Sequence, residues 1–147
     1  YVADWGNNRV QKFTGDGEWL QNFGAPFPEE LRLNHPSDVA VDSQGDVYVA
    51  DWGNKKVQIF DSDGEIITSL YGDATELSRS ALKFMEVNQD YNKAFKRAKD
   101  KSRLGSFERP TSISITKDDR ILICDTARQR LQVYDKEKGY MDPEYNL

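Results

Sequence analysis

The sequence predicts an all-β fold built from repeated antiparallel units, and two observations support this prediction. The first is internal repetition, because residues 1–18 (YVADWGNNRVQKFTGDGE) match residues 48–65 (YVADWGNKKVQIFDSDGE) at 13 of 18 positions. A weaker third copy occupies residues 122–139 (LICDTARQRLQVYDKEKG). The second is that short apolar segments alternate with turn residues, which is typical of β-strands. Repeats of about 40–45 residues with four strands each are typical of β-propeller blades.

The second copy contains a complete unit. We expect strands at 36–42, 56–61 and 65–71, where apolar and polar residues alternate. The segment 47–51 (VYVAD) is apolar at successive positions, so we expect this strand to be buried on both faces. Turns that contain glycine separate the four strands, because glycine adopts positive φ at little cost.

The other two copies are incomplete units. The first supplies strands two to four, and the third supplies strands one to three at 110–116, 120–125 and 130–136, with a last strand starting at 139–141. We therefore predict a partial β-propeller, a single segment of about three four-stranded antiparallel blades. Its expected parts are a partial first blade (1–24), a second blade (36–72), an α-helical insertion (73–106) and a partial third blade (109–141), within one domain spanning 1–147.

The insertion is predicted to be helical. Asp73 and Glu76 form a capping-box pattern, and apolar residues recur at spacings of three and four from Leu77 to Ala98. A basic patch lies near its C-terminal end, formed by Lys93, Lys96, Arg97, Lys99, Lys101 and Arg103. Two interpretations remain open. Either these cations are solvated and complement the helix dipole, or they bind an acidic partner or RNA.

Composition indicates a soluble globular class. The net charge is −5, 31% of residues are charged, and no apolar stretch is long enough to span a membrane. The single cysteine, Cys124, excludes an internal disulfide and a multi-cysteine zinc site, and we expect it to be a small buried hydrophobic residue rather than a nucleophile. The chain begins at Tyr1, inside a repeat, so we expect a fragment or a processed piece. The sequence indicates no compartment.

The repeated pattern resembles the NHL repeat family. The matching positions in the second copy are Pro36, Val39, Val41, Asp42, Gly45, Tyr48, Val49, Asp51, Asn54, Lys56, Val57 and Phe60. The third copy keeps much of this pattern but has Asp119 in place of Gly45. The resemblance implies a β-propeller, commonly six-bladed, that is mostly used to bind proteins, RNA or small ligands. The resemblance also implies a possible enzymatic role, because the family includes a few enzymes, among them amidating lyases with a zinc ion held by several histidines.

One face of the predicted propeller collects the candidate binding residues. The turn after each second strand and the connection into the next unit lie on the same face. They form a candidate ligand-binding rim of Trp5, Asn7, Asn8, His35, Trp52, Asn54, Lys55 and Arg128. The turn tryptophans either stack on a sugar, peptide or base, or pack on the neighbouring blade.

No metal site, cofactor or catalytic residue is predicted. A catalytic zinc site usually needs three protein ligands, and His35 is the only histidine. An aspartate with a basic residue five positions later recurs in all three copies, starting at Asp4, Asp51 and Asp125. We expect each carboxylate to hold its turn by accepting turn N–H groups and pairing with the cation across the hairpin.

The predicted function is that of a non-enzymatic binding scaffold, an NHL-type propeller that contacts protein or another ligand through one rim. The alternative is a fragment of a propeller enzyme, metal-dependent lyase or lactonase-like, whose catalytic residues lie outside this chain or are shared between chains. Fewer than three blades would leave apolar faces open to water, so we expect a protein partner or a second copy to complete the ring. A small-molecule or RNA ligand is a further possibility without support in the sequence.

Overall fold

The chain folds into three antiparallel sheets. The computed structural model describes residues 1–24, 28–72, 106–136 and 143–146, together with isolated positions between 83 and 97. Sheet 1 contains β1 (Val2–Asp4), β2 (Arg9–Phe13) and β3 (Trp19–Phe23); sheet 2 contains β4 (Pro36–Val41), β5 (Val47–Asp51), β6 (Lys56–Phe60) and β7 (Ile66–Leu70); sheet 3 contains β8 (Pro110–Ile115), β9 (Arg120–Asp125), β10 (Arg130–Asp135) and β11 (Pro143–Asn146). In each sheet, neighbouring strands follow one another along the chain, which confirms the all-β, antiparallel prediction.

Short side chains in the turns fix where the strands end. In the turn between β4 and β5, the Asp42 carboxylate accepts the backbone N–H groups of Gln44 and Asp46, and Gly45 has a φ of 94°. The equivalent turn of sheet 3 has Asp119 at this position, with a φ of 55°. Aspartate tolerates the left-handed region better than most residues, so the turn survives without glycine.

Sheet 2 is buried on both faces, as the sequence of β5 predicted. Val47 and Val49 face sheet 1, where they pack with Phe60 and with Val10 of β2. The intervening Tyr48 faces sheet 3. It belongs to a second core whose buried members are Tyr48, Ala50, Val57, Ile59, Leu70, Phe107, Ile113, Ile121, Ile123 and Tyr134. The alternation follows from the period of two along a strand, and it lets one strand contribute to two separate cores.

Polar contacts join sheets 2 and 3 beside their shared core. Asp38 of β4 accepts hydrogen bonds from the Ser112 hydroxyl at 2.8 Å and from the backbone N–H of Ile113 at 2.9 Å. Lys136, after β10, donates to Asp42 and Asp46 at 2.6 Å each. Because these bonds connect one sheet to the next, they fix the relative position of the two sheets.

Asp42 is the most connected carboxylate of this contact. Burial would raise its pKa, but hydrogen bonds from Lys136, from the Tyr48 hydroxyl and from backbone N–H groups outweigh burial, and its pKa is lowered. Asp42 is therefore held as the charged partner of Lys136.

Three sequence predictions need correction or lie outside the structure. The last strand of sheet 3 is described over Pro143–Asn146, and the predicted start of this strand at 139–141 lies outside the described residues. Most of the predicted helical insertion (73–106) lies outside the described residues; the isolated positions 83, 86–87, 89–90, 93 and 97 are helical, and no α-helix with described bounds joins them. Cys124 is half-buried rather than buried, because it lies on the face of sheet 3 that points away from sheet 2.

We predict that Ile59→Ala lowers the free energy of unfolding by about 2–5 kcal/mol, because it opens a cavity in the core between sheets 2 and 3. The control is Ile67→Ala in the same sheet, since Ile67 is 46% exposed, and it should change stability by less than about 0.5 kcal/mol. Urea unfolding followed by circular dichroism measures both values. Equal losses for the two variants would contradict this description of the core.

Candidate ligand-binding rim

The rim is built from three equivalent turns that follow the second strand of each repeat. The turns of sheets 1 and 3 are single 3-10 turns, Trp5–Asn7 and Thr126–Arg128. Each of the three turns ends in a left-handed residue, with φ of 55° at Asn8, 56° at Lys55 and 52° at Gln129. The same backbone therefore presents different side chains at three places along one edge of the fold.

A buried aspartate anchors the segment that leads into each of the two later sheets. We call residues 33–35 and 107–109 the lead-in segments. Asp51, at the end of β5, accepts the backbone N–H of Asn34 at 2.7 Å, and Asp125, at the end of β9, accepts the backbone N–H of Arg109 at 2.8 Å. The backbone donors therefore belong to the lead-in segments, whereas the predicted turn donors are side-chain amides, from Asn7 to Asp4 and from Asn54 to Asp51. The predicted cations are confirmed at Asp4 and Asp125, which Arg9 and Arg130 contact at 2.9 Å and 3.1 Å.

Folding shifts the pKa values of the equivalent aspartates of sheets 1 and 2, Asp4 and Asp51, in opposite directions. Burial raises the pKa of Asp51, although hydrogen bonds from Asn34, Asn54 and Gln58 partly offset this effect. Asp4 is half-buried, and hydrogen bonds from Asn7 and Arg9 lower its pKa. The difference arises because a lead-in segment packs over Asp51.

Two of the predicted rim tryptophans contact each other and His35. The ring centroids are 4.9 Å apart for Trp5 and Trp52, 5.0 Å for Trp5 and His35, and 6.4 Å for His35 and Trp52. The backbone of His35 has a φ of 53°, which is uncommon for a residue other than glycine, and its N–H donates to Asn8 Oδ1 at 2.8 Å. We call Trp5, His35 and Trp52 the aromatic cluster. Trp5 packs on the neighbouring sheet and is still 42% exposed.

Arg109 extends this cluster, and the sequence analysis missed it. Its guanidinium carbon lies 5.6 Å from the centroid of the Trp52 ring, within the range of a cation–π contact. Arg109 precedes Pro110 just as His35 precedes Pro36. In both cases the residue before the proline packs on the turn tryptophan of the preceding sheet. Alignment of the repeats around the two prolines would have found it.

An ion-pair network continues the rim towards sheet 3. Glu108, a second residue that the sequence analysis missed, accepts a hydrogen bond from Lys55 at 2.6 Å and lies 3.6 Å from Arg128. The hydrogen bond from Lys55 contributes most to the lowered pKa of Glu108. Lys55 and Arg128 thus share one carboxylate, whereas Arg109 lies over Trp52.

The remaining predicted residues are two turn asparagines and the cations of the basic patch, and they do not belong to the aromatic cluster. Asn7 and Asn54 donate to the aspartates that precede their turns, Asp4 and Asp51, so their amide groups support the turns. In the basic patch, only Lys93 and Arg97 are described, and Lys93 lies 3.9 Å from Asp90. The other members, Lys96, Lys99, Lys101 and Arg103, lie outside the described residues.

The described part of the chain lacks two features that would indicate a metal ion or a membrane span. Within it, no group of three or more histidine, cysteine, aspartate or glutamate side chains is placed to hold a metal ion. None of its helical segments has the length and apolar character needed to cross a membrane.

Comparison with known proteins defines the fold class and the repeat. The chain is similar to a solved structure described as a streptogramin B lyase, with a TM-score of 0.54 and 12% identity. The match covers 90% of this chain and 32% of the other, so this chain spans about a third of that structure's length. The likeness concerns the fold, which is β-propeller-like. The chain contains NHL repeats, since a family model of that description matches residues 33–60 and 107–134. A search of curated protein sequences gives no match.

We predict that Gly53→Ala destabilises the rim. A Cβ atom at this position would clash with the side chain of Asn34 and would lie 2.7 Å from its backbone oxygen, so the lead-in segment would have to move, at a cost of about 1–3 kcal/mol. Gly6→Ala is the matched control, because the equivalent turn has no atom within 4 Å of the added group. Thermal unfolding compares the two variants. A Gly53 variant as stable as the Gly6 variant would be inconsistent with this contact.

We predict opposite pH dependences for the equivalent variants Asp51→Asn and Asp4→Asn. Folding raises the pKa of Asp51, so its contribution to stability is complete below the ordinary value of 3.8 and is lost as the pH rises through the raised value. Folding lowers the pKa of Asp4, so its contribution is present above 3.8 and is lost as the pH falls through the lowered value.

Urea unfolding of the parent chain and both variants, at several pH values between about 3 and 7 around the ordinary carboxyl pKa, measures these differences. The free energy of unfolding of the parent minus that of Asp51→Asn should fall as the pH rises, and the difference for Asp4→Asn should increase. Two differences that change in the same direction would show that burial of Asp51 does not control its protonation.

Proposed function

We propose that the three sheets are blades of an NHL-type propeller and that the chain is a non-enzymatic binding scaffold whose rim contacts a protein or peptide ligand. The observation that carries the proposal is the aromatic cluster with Arg109 over it. The cluster lies where sheets 1, 2 and 3 bring their turns and lead-in segments together, so the fold itself positions these side chains.

The cluster is held in place before any ligand arrives. His35 is fixed by Asn8, and its imidazole Nδ1 lies 2.6 Å from the amide oxygen of Asn34. The lead-in segment that carries His35 is in turn bound to buried Asp51. Ligand binding therefore costs little conformational entropy for ordering these side chains, and this favours affinity.

The composition of the rim favours a polypeptide ligand. Tryptophan and arginine are the residues most enriched among the energetically important positions of protein interfaces. Trp5 offers an apolar surface that is 42% exposed, and Arg109 supplies a cation over the adjacent Trp52. A peptide with an apolar or aromatic side chain next to a carboxylate matches this arrangement.

The alternative function is that of a propeller enzyme, metal-dependent lyase or lactonase-like, with catalytic residues outside this chain or shared between chains. The structural similarity to a protein described as a lyase favours it, but at 12% identity this similarity extends to the fold alone. Metal analysis separates the two proposals, because zinc or calcium retained at one ion per chain after dialysis against a chelator would favour the enzyme.

We predict that Trp5→Ala weakens binding of rim-directed peptides at least tenfold, because the ligand loses most of its apolar contact area. Random peptides displayed on phage are selected against the parent chain, and synthetic copies of the selected peptides are then titrated by calorimetry.

The matched control is Trp19→Ala. Trp19 is opposite Phe13, at the end of sheet 1 that lies away from the rim, and it is 56% exposed. This variant should bind the selected peptides as the parent does. Selected peptides whose affinity is unchanged by both Trp5→Ala and Arg109→Ala would contradict the assignment of the rim as the binding surface.

A further inference from the structure

The part of the rim between sheets 2 and 3 is positively charged, although the whole chain carries a net charge of −5. Three cations, Lys55, Arg109 and Arg128, lie around one carboxylate at the surface, that of Glu108. The aspartates that anchor the lead-in segments are completely buried, so they do not present a negative charge to a ligand. A surface patch of this charge attracts acidic ligands.

Glu108 already occupies two of the three cations. Lys55 Nζ donates to its carboxylate at 2.6 Å, and a guanidinium nitrogen of Arg128 lies 3.6 Å from it. Of the cations that lower the pKa of Glu108, Lys55 has the largest effect and Arg109 the smallest. Lys55 and Arg128 are therefore engaged within the chain, and Arg109 is the cation that Glu108 holds least.

Arg109 is placed to receive a carboxylate from outside the chain. Its side chain is exposed and lies over Trp52, and its guanidinium forms no ion pair or hydrogen bond with any residue that the structure describes. Its backbone N–H is bound to buried Asp125, so the position of the residue is fixed. A guanidinium that rests on a ring keeps the N–H groups at its edge available, and two of them can bind one carboxylate.

An apolar contact lies directly beside this guanidinium. Trp52 contacts both Arg109 and Trp5, and the ring of Trp5 is 42% exposed. A ligand that places a carboxylate on Arg109 can therefore place a neighbouring apolar side chain on Trp5.

The backbone of the turn after β5 favours a side-chain carboxylate over the carboxylate of a chain end. Terminal carboxylates are typically captured by successive unpaired backbone N–H groups. In this turn, the N–H groups of Gly53, Asn54 and Lys55 all donate to carbonyl oxygens within the chain, at 2.8, 3.2 and 3.3 Å. The guanidinium is therefore the group beside Trp52 that can bind the anion.

We propose that Arg109 is the specificity-determining residue of the rim and pairs with an aspartate or glutamate side chain of an acidic peptide segment, next to an apolar residue that packs on Trp5. Because Glu108 holds Lys55 and Arg128, the carboxylate is recognised at one position and not by a diffuse positive patch. This inference rests on the proposed function, since it concerns the ligand of the same rim. Nucleic acid matches the rim less well, because several phosphates need several available cations.

The test uses synthetic copies of the peptides that phage display selects against the parent chain. Each acidic residue of a peptide is changed in turn to its amide, and the peptides are titrated by calorimetry into the parent and into Arg109→Gln. For one acidic residue beside an apolar one, the change to an amide should weaken binding to the parent about tenfold. It should have little effect on binding to Arg109→Gln, because the partner of the carboxylate is already absent.

Two further variants separate recognition from general charge. Arg109→Lys keeps the charge but not the planar fork of donors, so it should restore only part of the affinity. Arg120→Gln is the matched control, because Arg120 begins β9 at the end of sheet 3 away from the rim and lies 3.6 Å from Asp118. This control should bind every peptide as the parent does.

The outcomes distinguish this inference from the proposed function. Peptides that depend on Trp5 but bind Arg109→Gln as tightly as the parent would overturn the inference and leave the proposed function standing. Peptides that lose affinity only when their C-terminus is amidated would also overturn it. Oligouridine that binds the parent at physiological salt and does not bind Arg109→Gln would overturn it as well, because nucleic acid would then be the ligand. Selected peptides that depend on neither Trp5 nor Arg109 would overturn both.

Discussion

Every residue of β5 is buried, and its four apolar residues pack alternately against sheet 1 and against sheet 3. This strand has no solvent-facing side, so sheet 2 is stable only between two other sheets. Complete burial of one Val, Ile or Phe side chain contributes about 1.5–3 kcal/mol, and β5 and β6 bury Val47, Val49, Val57, Ile59 and Phe60 together. The stacking of the sheets therefore determines both the stability of the fold and the place where the turns meet.

The lead-in segments connect this stacking to the candidate binding rim. A carboxylate of the same sheet holds the backbone of each lead-in segment, and a side chain of that segment packs on a tryptophan of the preceding sheet. His35 and Arg109 occupy these equivalent positions, one over Trp5 and the other over Trp52. The spacing between the sheets consequently fixes the spacing of the rings, and a surface for a ligand forms where the chain passes from one sheet to the next.

Much of the fold was predictable because its signals are local and repeated. The alternation of apolar residues predicted the strands of sheet 2, and the continuous apolar run of β5 predicted burial on both faces. The last strand was harder to place because its described part, Pro143–Asn146, lacks the alternating pattern of the other strands. The helical pattern of residues 73–106 is also local, but most of that segment lies outside the described residues.

The geometry of the rim was less predictable because its contacts join distant parts of the chain. Asp51 and Asn34 are 17 positions apart, and Lys55 and Glu108 are 53 positions apart. No property of the single turn indicates that Trp52 lies under Arg109. The equivalence of His35 and Arg109 before their prolines was the available signal, and it becomes visible only when the two lead-in segments are aligned.

Amide hydrogen exchange followed by mass spectrometry tests the central role of sheet 2 most directly. If its burial between two sheets stabilises the whole fold, the amides of β5 and β6 should exchange most slowly in the chain and by global unfolding alone. The amides of β1 and β3 should exchange faster, because one face of sheet 1 is open. Protection of β1 to β3 that equals or exceeds the protection of β5 and β6 would contradict this account.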